Sequence, residues 1–288
     1  MNKSASTIEP AGDGARFHQN WRSQQEAHYL HWTRDDPANQ IQLAFRRHWQ
    51  TFQPFLEQLQ GRRCLEVGCG RGSLSAYFAD AGWDCTLLDI SPKANELARK
   101  AFIRHGLQAV FNTGDCLALP YRDRSFDVCF SIGLLEHFRE FDRVIREQVR
   151  VLKPGGLFLG YIVPHIPDNV QHEYNWICDL LKTMVPERGS VAKTPVYRSD
   201  ALSAPYLQSM ADAGLVNRFH SGIYPLPMIS HSIEFPFTLL PDTAEAVLVK
   251  QFNRMLNERR MKSGGKDPWL CDEREGQAIL TCGYKAES

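Results

Sequence analysis

Between residues 63 and 163 five short apolar runs alternate with helical stretches, and this alternation constrains the chain more than any other feature of its sequence. The runs fall at Arg63–Val67, 85–88, 109–112, Phe126–Ile132 and 157–163. Helical patterns occupy 73–81, 92–104 and 141–152 between them, the second opened by Ser91 as N-cap with Pro92 at the first helical position. Lys153-Pro154-Gly155-Gly156 is expected to end the third helix. Strands that return through helices at this spacing make βαβ units, and such units build a parallel sheet covered on both faces. Beyond Pro164 the pattern predicts helices over 170–185, 199–213 and 244–261, a strand over 216–224 and a last strand at Ala278–Lys285. The expected fold is α/β: a doubly wound, mostly parallel sheet of seven strands with helices on both faces.

The alternation also divides the chain. Residues 1–15 are small, polar and Gly/Pro-bearing and are expected to be a disordered tail. Residues 16–60 are expected to form a helical lid rich in aromatics, with Pro37 and Pro54 separating its helices. A ligand-binding half follows over 61–163, then the rest of the sheet over 164–288 with cap insertions near 164–197 and 225–275. The 33 basic and 33 acidic side chains give a formal net charge of zero, which gives no support for a nucleic-acid partner. No apolar run reaches the length of a membrane span and the first residues carry no signal-peptide pattern, so a cytoplasmic protein is expected. The eight cysteines form no CxxC pair and mostly sit in apolar runs, as buried thiols do; no metal site is expected. The oligomeric state leaves no mark in the sequence.

The sharpest local signal is Leu65-Glu66-Val67-Gly68-Cys69-Gly70-Arg71-Gly72-Ser73, a glycine turn with a strand before it and a helix after it. Its glycines let a ligand approach the backbone without meeting a Cβ. The spacing GxGxG differs from the dinucleotide fingerprint, whose third small residue would stand at Ser73, and no Lys-Ser/Thr follows for a phosphate cradle. Glu66, two residues before the first glycine, would repel a pyrophosphate and attract an ammonium. A nucleoside joined to an amino acid fits these demands.

The segment Glu66-x-Gly68-x-Gly70-x-Gly72 resembles motif I of class I S-adenosylmethionine-dependent methyltransferases, which have a Rossmann-like fold, and the resemblance continues in register. It implies that Asp89 at the end of the second strand bonds the ribose hydroxyls, that Ile90 packs on adenine, and that Asp115 of Gly114-Asp115-Cys116 meets the adenine amino group. Leu119-Pro120-Tyr121, Ser125-Phe126-Asp127-Val128, Leu135-Glu136-His137-Phe138 and Val151-Leu152-Lys153-Pro154-Gly155-Gly156 are similar to the family's later motifs. The cofactor set implied is Glu66, Gly68, Cys69, Gly70, Gly72, Asp89, Ile90, Asp115, Cys116 and Ser131, holding S-adenosylmethionine and its product S-adenosylhomocysteine. The resemblance is specific over 61–163 and slight over 1–60.

An activated methyl needs chiefly an aligned nucleophile, and a base only where the acceptor must lose a proton. Candidates for that base are Glu136 and His137 after the fourth strand and His165 after the fifth, although His137 fits equally as a helix-entry residue and His165 as a surface loop residue. Trp21, His28, Tyr29 and Trp32, with His18, are candidate lid and acceptor contacts. The expected activity is methyl transfer to an O, N or C atom of a small organic acceptor. The alternatives are a lipid-methylating or cyclopropanating enzyme, suggested by Glu136-His137-Phe138, and a scaffold that binds the cofactor without turnover.

Overall fold

The computed structural model describes residues 13–22, 31–166, 176–177, 180, 183, 196–226 and 240–287. In chain order these form α1 (Asp13–Arg22), α2 (Gln40–Leu56), β1 (Arg63–Val67), α3 (Ser73–Asp80), β2 (Asp84–Asp89), α4 (Pro92–Arg104), β3 (Val110–Thr113), β4 (Phe126–Ile132) and a single 3-10 turn (Leu135–His137). They continue through α5 (Phe141–Val151), β5 (Leu152–Ile162), α6 (Ser203–Asp212), β6 (Leu215–Ile223), α7 (Asp242–Lys262), β7 (Leu270–Cys271) and β8 (Ala278–Lys285). One sheet runs in the order β3-β2-β1-β4-β5-β8-β6-β7. The first five of these strands are mutually parallel, and β8 is inserted antiparallel between β5 and β6.

The expected class is therefore present, with eight strands in place of seven. The extra one, β7, is two residues long and exists only because Leu270 and Cys271 pair with Ile223 and Gly222. Two boundaries also move. The 153–156 turn is absorbed into β5, which starts at Leu152 and accommodates Gly155 at φ 71° where its register against β4 shifts. Pro54 does not break α2 but lies in its last turn, where the carbonyl that loses its partner belongs to exposed Gln50. Asp13–Ala15, assigned to the tail, open α1; residues 1–12 and most of the 170–185 helix lie outside the described residues.

The central strands read as continuous apolar runs because both of their faces are covered. Cys64, Phe130, Leu157 and Leu159 face one layer, where Phe78 stacks on Phe130 at 4.8 Å. Leu65, Val67, Cys129 and Phe158 face the other, which receives Val144, Ile145 and Val149 of α5 and Tyr206 and Met210 of α6. Each fully buried Phe or Leu contributes about 1.5–3 kcal/mol on transfer from water. The carboxyl end of α5 is closed by a long-range cap: the Lys285 ammonium donates to the carbonyls of Val149 (2.8 Å), Arg150 (3.2 Å) and Leu152 (2.8 Å). Lys285→Met is expected to keep the packing and lose these bonds, costing about 1–3 kcal/mol in urea unfolding; an unchanged midpoint would show the cap to be idle.

The polarity of the sheet fixes where a site can form. All five parallel strands end on one edge, and the strand order reverses between β1 and β4. That reversal leaves a crevice at the carboxyl ends of the strands. The glycine turn after β1 and the 3-10 turn after β4 face each other across it.

Candidate active site

The glycine turn is held by its neighbours in a backbone conformation that suits glycine. Gly68, Gly70 and Gly72 have φ of 71°, 52° and 68°, in the left-handed region. The N–H groups of Gly68 and Cys69 both donate to the Leu88 carbonyl, at 2.8 and 3.0 Å. A Cβ at Gly72 would lie 2.6 Å from Leu87 Cδ2, so this glycine serves strand–helix packing. A Cβ at Gly68 would lie 2.8 Å from Leu134 Cδ1, which shows how closely the post-β4 turn approaches the loop.

Asp89 ends β2 and is 5% exposed. Its Oδ2 accepts from Gly70 N–H and its Oδ1 from Ser91 N–H, both at 2.9 Å. Burial pushes its carboxyl above the usual range, and the two N–H groups offset this in part. A carboxylate has about four lone-pair sites, so two stay available to ligand hydroxyls. Asp115 follows β3 and accepts from Leu117 N–H at 2.9 Å; Ile90 and Asp115 are half-buried, and Cys116 is buried. Cys69 is buried beside Asn95, with its Sγ 3.6 Å from Oδ1.

Glu66 occupies an unexpected direction. It is 3% exposed, and its Oε2 accepts from Ser75 N–H (3.3 Å) and from the Ser75 hydroxyl (2.5 Å) in the first turn of α3. Burial pushes its carboxyl up to about 8. The acid thus braces the loop against α3.

Glu136 lies beyond the tip of β4, 1% exposed, with Oε1 3.5 Å from where a Cβ on Gly133 would stand. Its Oε2 has no hydrogen-bond partner among the described residues. Burial pushes this carboxyl too up to about 8, against weaker opposing effects from its own backbone N–H, from exposed Arg198 and from the Val163 N–H. Ser131 in β4 is likewise buried, its hydroxyl without a partner among the described residues. His137 Nε2 lies 3.8 Å from Glu136 Oε1, and its Nδ1 lies 2.6 Å from the Tyr197 carbonyl oxygen. The chain after β5 is tied to the same turn, since Ser199 N–H donates to the Glu136 carbonyl and His165 N–H to the Ser199 carbonyl, each at 2.8 Å. The His165 ring is exposed, outside this buried group.

Helix α1 covers both turns with residues one helical turn apart, which share a face. Phe17 meets His137 edge-on at 4.8 Å, while Trp21 sits 3.1 Å from where a Cβ on Gly70 would stand, with the Arg71 guanidinium over its ring. Trp21 is thus brought to the glycine loop, and Phe17 is a contact the sequence reading missed although the four-residue spacing carried the signal. Trp32 is not brought there: it packs against His105, which caps the far end of α4, a helix about 20 Å long that leads away from Asp89. His28 and Tyr29, with the side chain of His18, lie outside the described residues.

The loop leaves a Cβ-free cradle, Asp89 offers spare acceptor sites beside it, and unpartnered polar groups stand at the tip of β4. This donor and acceptor set fits S-adenosylmethionine, whose amino acid and nucleoside ends need acceptors and whose methyl needs a neighbouring nucleophile. Among the described residues no helix is long and apolar enough to cross a membrane.

Comparison with known proteins agrees. A family model described as a methyltransferase domain matches residues 65–160. Sterol 4-C-methyltransferase strm-1 of Caenorhabditis elegans is 35% identical over 108 residues, covering 37% of this chain and 32% of that one. The 27-O-demethylrifamycin SV methyltransferase of Amycolatopsis mediterranei is 35% identical over 140 residues, 46% of this chain and 50% of that one. Ajmaline N-methyltransferase of Rauvolfia serpentina is 34% identical over 108 residues, 36% of each chain. The aligned part spans a third to a half of the length of these relatives. Among solved structures, a SAM-dependent methyltransferase of Thermotoga maritima is similar with a TM-score of 0.51 at 18% identity, covering 85% of this chain and 90% of that one. The [4+2]-cyclase SpnF matches with a TM-score of 0.51 at 21% identity, covering 96% and 93%; at these identities the likeness is one of fold. Loop geometry, strand order and family match agree on a methyltransferase domain over residues 65–160.

Proposed function

We propose that the protein transfers the methyl group of S-adenosylmethionine to a small organic acceptor by in-line displacement. When bound, the cofactor supplies a methyl already activated on a sulfonium. Gly68 and Gly70 form the cradle while Gly72 packs the turn against Leu87, Asp89 takes the ribose, and Ile90, Asp115 and Cys116 flank the adenine; this assignment rests on their positions at the ends of β1, β2 and β3. Ser131 stands nearer the methyl end. Alignment within a closed site supplies most of the acceleration. Trp21 and Phe17 support that closure from one face of α1.

The observation that carries the reading is the carboxyl of Glu136: buried, unpartnered at Oε2 among the described residues, and across the crevice from the glycine loop. Such a group is poised to take or hold a proton of the acceptor, with His137 beside it. His165 serves this arrangement through its backbone. Glu136→Gln preserves shape and removes the ionisable carboxyl. It is expected to lower methyl transfer, followed by mass gain of the acceptor, by about 10²–10⁴-fold while leaving S-adenosylhomocysteine affinity within a few-fold. Full activity in the Gln variant would place the proton-handling group elsewhere.

A further inference from the structure

The end of β5 carries a buried polar group that the proposed reaction leaves unused. Tyr161 pairs with Ile132 of β4, and its carbonyl accepts at 2.8 Å from the N–H of Gly133, in the turn that leads to Glu136. The side chain enters the layer that holds Ile132 and α2, is 6% exposed, and makes no hydrogen bond through its hydroxyl among the described residues. A buried phenol ordinarily finds a partner for its O–H. Burial raises the proton affinity of this one, and the charge of Glu136 and the neighbouring Cys271 thiol raise it further. The phenol is therefore protonated at neutral pH and stands ready as a donor.

The ring is held from the α2 side. Trp269 Nε1–H donates to His48 Nδ1 at 2.9 Å, and both residues are buried. An indole nitrogen only donates, so the neutral imidazole of His48 carries its proton on Nε2. The His48 ring meets Tyr161 edge-on at 4.6 Å, with the planes 65° apart.

In-line displacement brings the nucleophile to the methyl from the side opposite sulfur. With the cofactor over the ends of β1, β2 and β3, that side belongs to β4 and β5, where Glu136 and Tyr161 stand. The first takes a proton and the second gives a hydrogen bond. A hydroxyl has one O–H and two lone pairs, so it can donate to Glu136, accept from Tyr161 and keep one pair for the methyl. A neutral amine has a single lone pair, which a bond from Tyr161 would occupy. Glu136, pushed up to about 8, is matched to a phenol, whose ordinary value is about 10, far better than to an aliphatic alcohol.

We propose that Tyr161 binds the acceptor by donating its hydroxyl hydrogen to the nucleophilic oxygen, and that the acceptor is a phenol. The proposal rests on the methyl-transfer reading above. The phenolic proton passes to Glu136, and an oxygen lone pair forms the O–C bond as the methyl–sulfur bond breaks. The electron pair of that bond stays on sulfur as a neutral thioether. The aryl methyl ether leaves, and Glu136 releases its proton to solvent.

The test uses one skeleton with three substituents: 5-hydroxyindole, 5-aminoindole and indole, titrated calorimetrically at neutral pH into full-length protein saturated with S-adenosylhomocysteine. The expected result is 5-hydroxyindole binding about tenfold tighter than the other two, a difference of about 1.4 kcal/mol. Tyr161→Phe removes one oxygen and keeps the ring. It is expected to erase that preference while binding S-adenosylhomocysteine as the wild type does, which also certifies its folding. In turnover of 5-hydroxyindole, followed by mass gain, the same variant is expected to raise KM about tenfold, the loss of one hydrogen bond. Equal affinities, a preference for the amine, no binding of any probe, or an undiminished preference or unchanged KM in Tyr161→Phe would overturn the phenol assignment alone. Failure of wild-type protein to bind S-adenosylhomocysteine would instead sink the methyl-transfer reading beneath it.

Discussion

Asp89→Ala is expected to lower affinity for S-adenosylhomocysteine by at least about 100-fold, close to 2.7 kcal/mol. The loss has two sources. The carboxylate is the acceptor for Gly70 N–H and Ser91 N–H, so its removal orphans a donor in the glycine loop and another at the start of α4. A buried donor left without a partner costs about 1–3 kcal/mol. Gly70, at φ 52°, then loses the contact that pins the middle of the loop. The second source is the pair of lone-pair sites that the proposed assignment gives to the ribose. Asp89→Asn retains one acceptor oxygen and is expected to fall between the two. Calorimetric titration of both variants decides the matter, with circular dichroism to confirm the sheet; wild-type affinity in Asp89→Ala would remove the end of β2 from the site.

Ligand-free protein is expected to lose stability as pH rises from about 5 to 9, and Glu66→Gln and Glu136→Gln are each expected to blunt that loss. Both carboxyls are pushed from an ordinary 4.5 up to about 8, chiefly by burial. Between those values the folded chain holds a proton that the unfolded chain releases. The stabilising contribution is therefore complete below about 4.5 and is lost as pH climbs through about 8. A shift of this size corresponds to roughly 4–5 kcal/mol per group. Asp89 beside Glu66 adds to its shift, while Arg198 opposes that of Glu136. Urea midpoints of wild type and the two variants at pH 5, 7 and 9 are the measurement. Curves that stay parallel across that range would show both acids to be ionised throughout.

How much of this was legible in advance depended on the range of the interactions involved. The five parallel strands and the helices between them were readable because burial on two faces writes continuous apolar runs, as in Phe126–Ile132, where six of seven residues are buried. The start of α4 was readable because Ser91 and Pro92 are local signals, and Ser91 Oγ does accept from Ala94 N–H. β7 was not, since two residues carry no period and pair only where Gly222 lets Asp272 approach; a Cβ there would lie 2.3 Å from the Asp272 carbonyl oxygen. In the site, the glycines and the ends of β1 and β2 followed from pattern. The direction of Glu66 did not, because the choice between a ligand and Ser75 is made by the packing of α3 on the sheet. Nor did the Tyr197 carbonyl that meets His137 Nδ1, since a backbone atom 60 residues away leaves no side-chain signature. Trp32 was drawn into the lid by its aromatic neighbours and belongs instead with His105.

Calorimetric titration of the purified protein with S-adenosylmethionine and with S-adenosylhomocysteine addresses the glycine cradle directly. Binding of both at one site near micromolar, roughly −8 kcal/mol, is predicted. Absence of binding by either would contradict the assignment of the crevice between β1 and β4 as a cofactor site and leave a doubly wound domain with some other ligand.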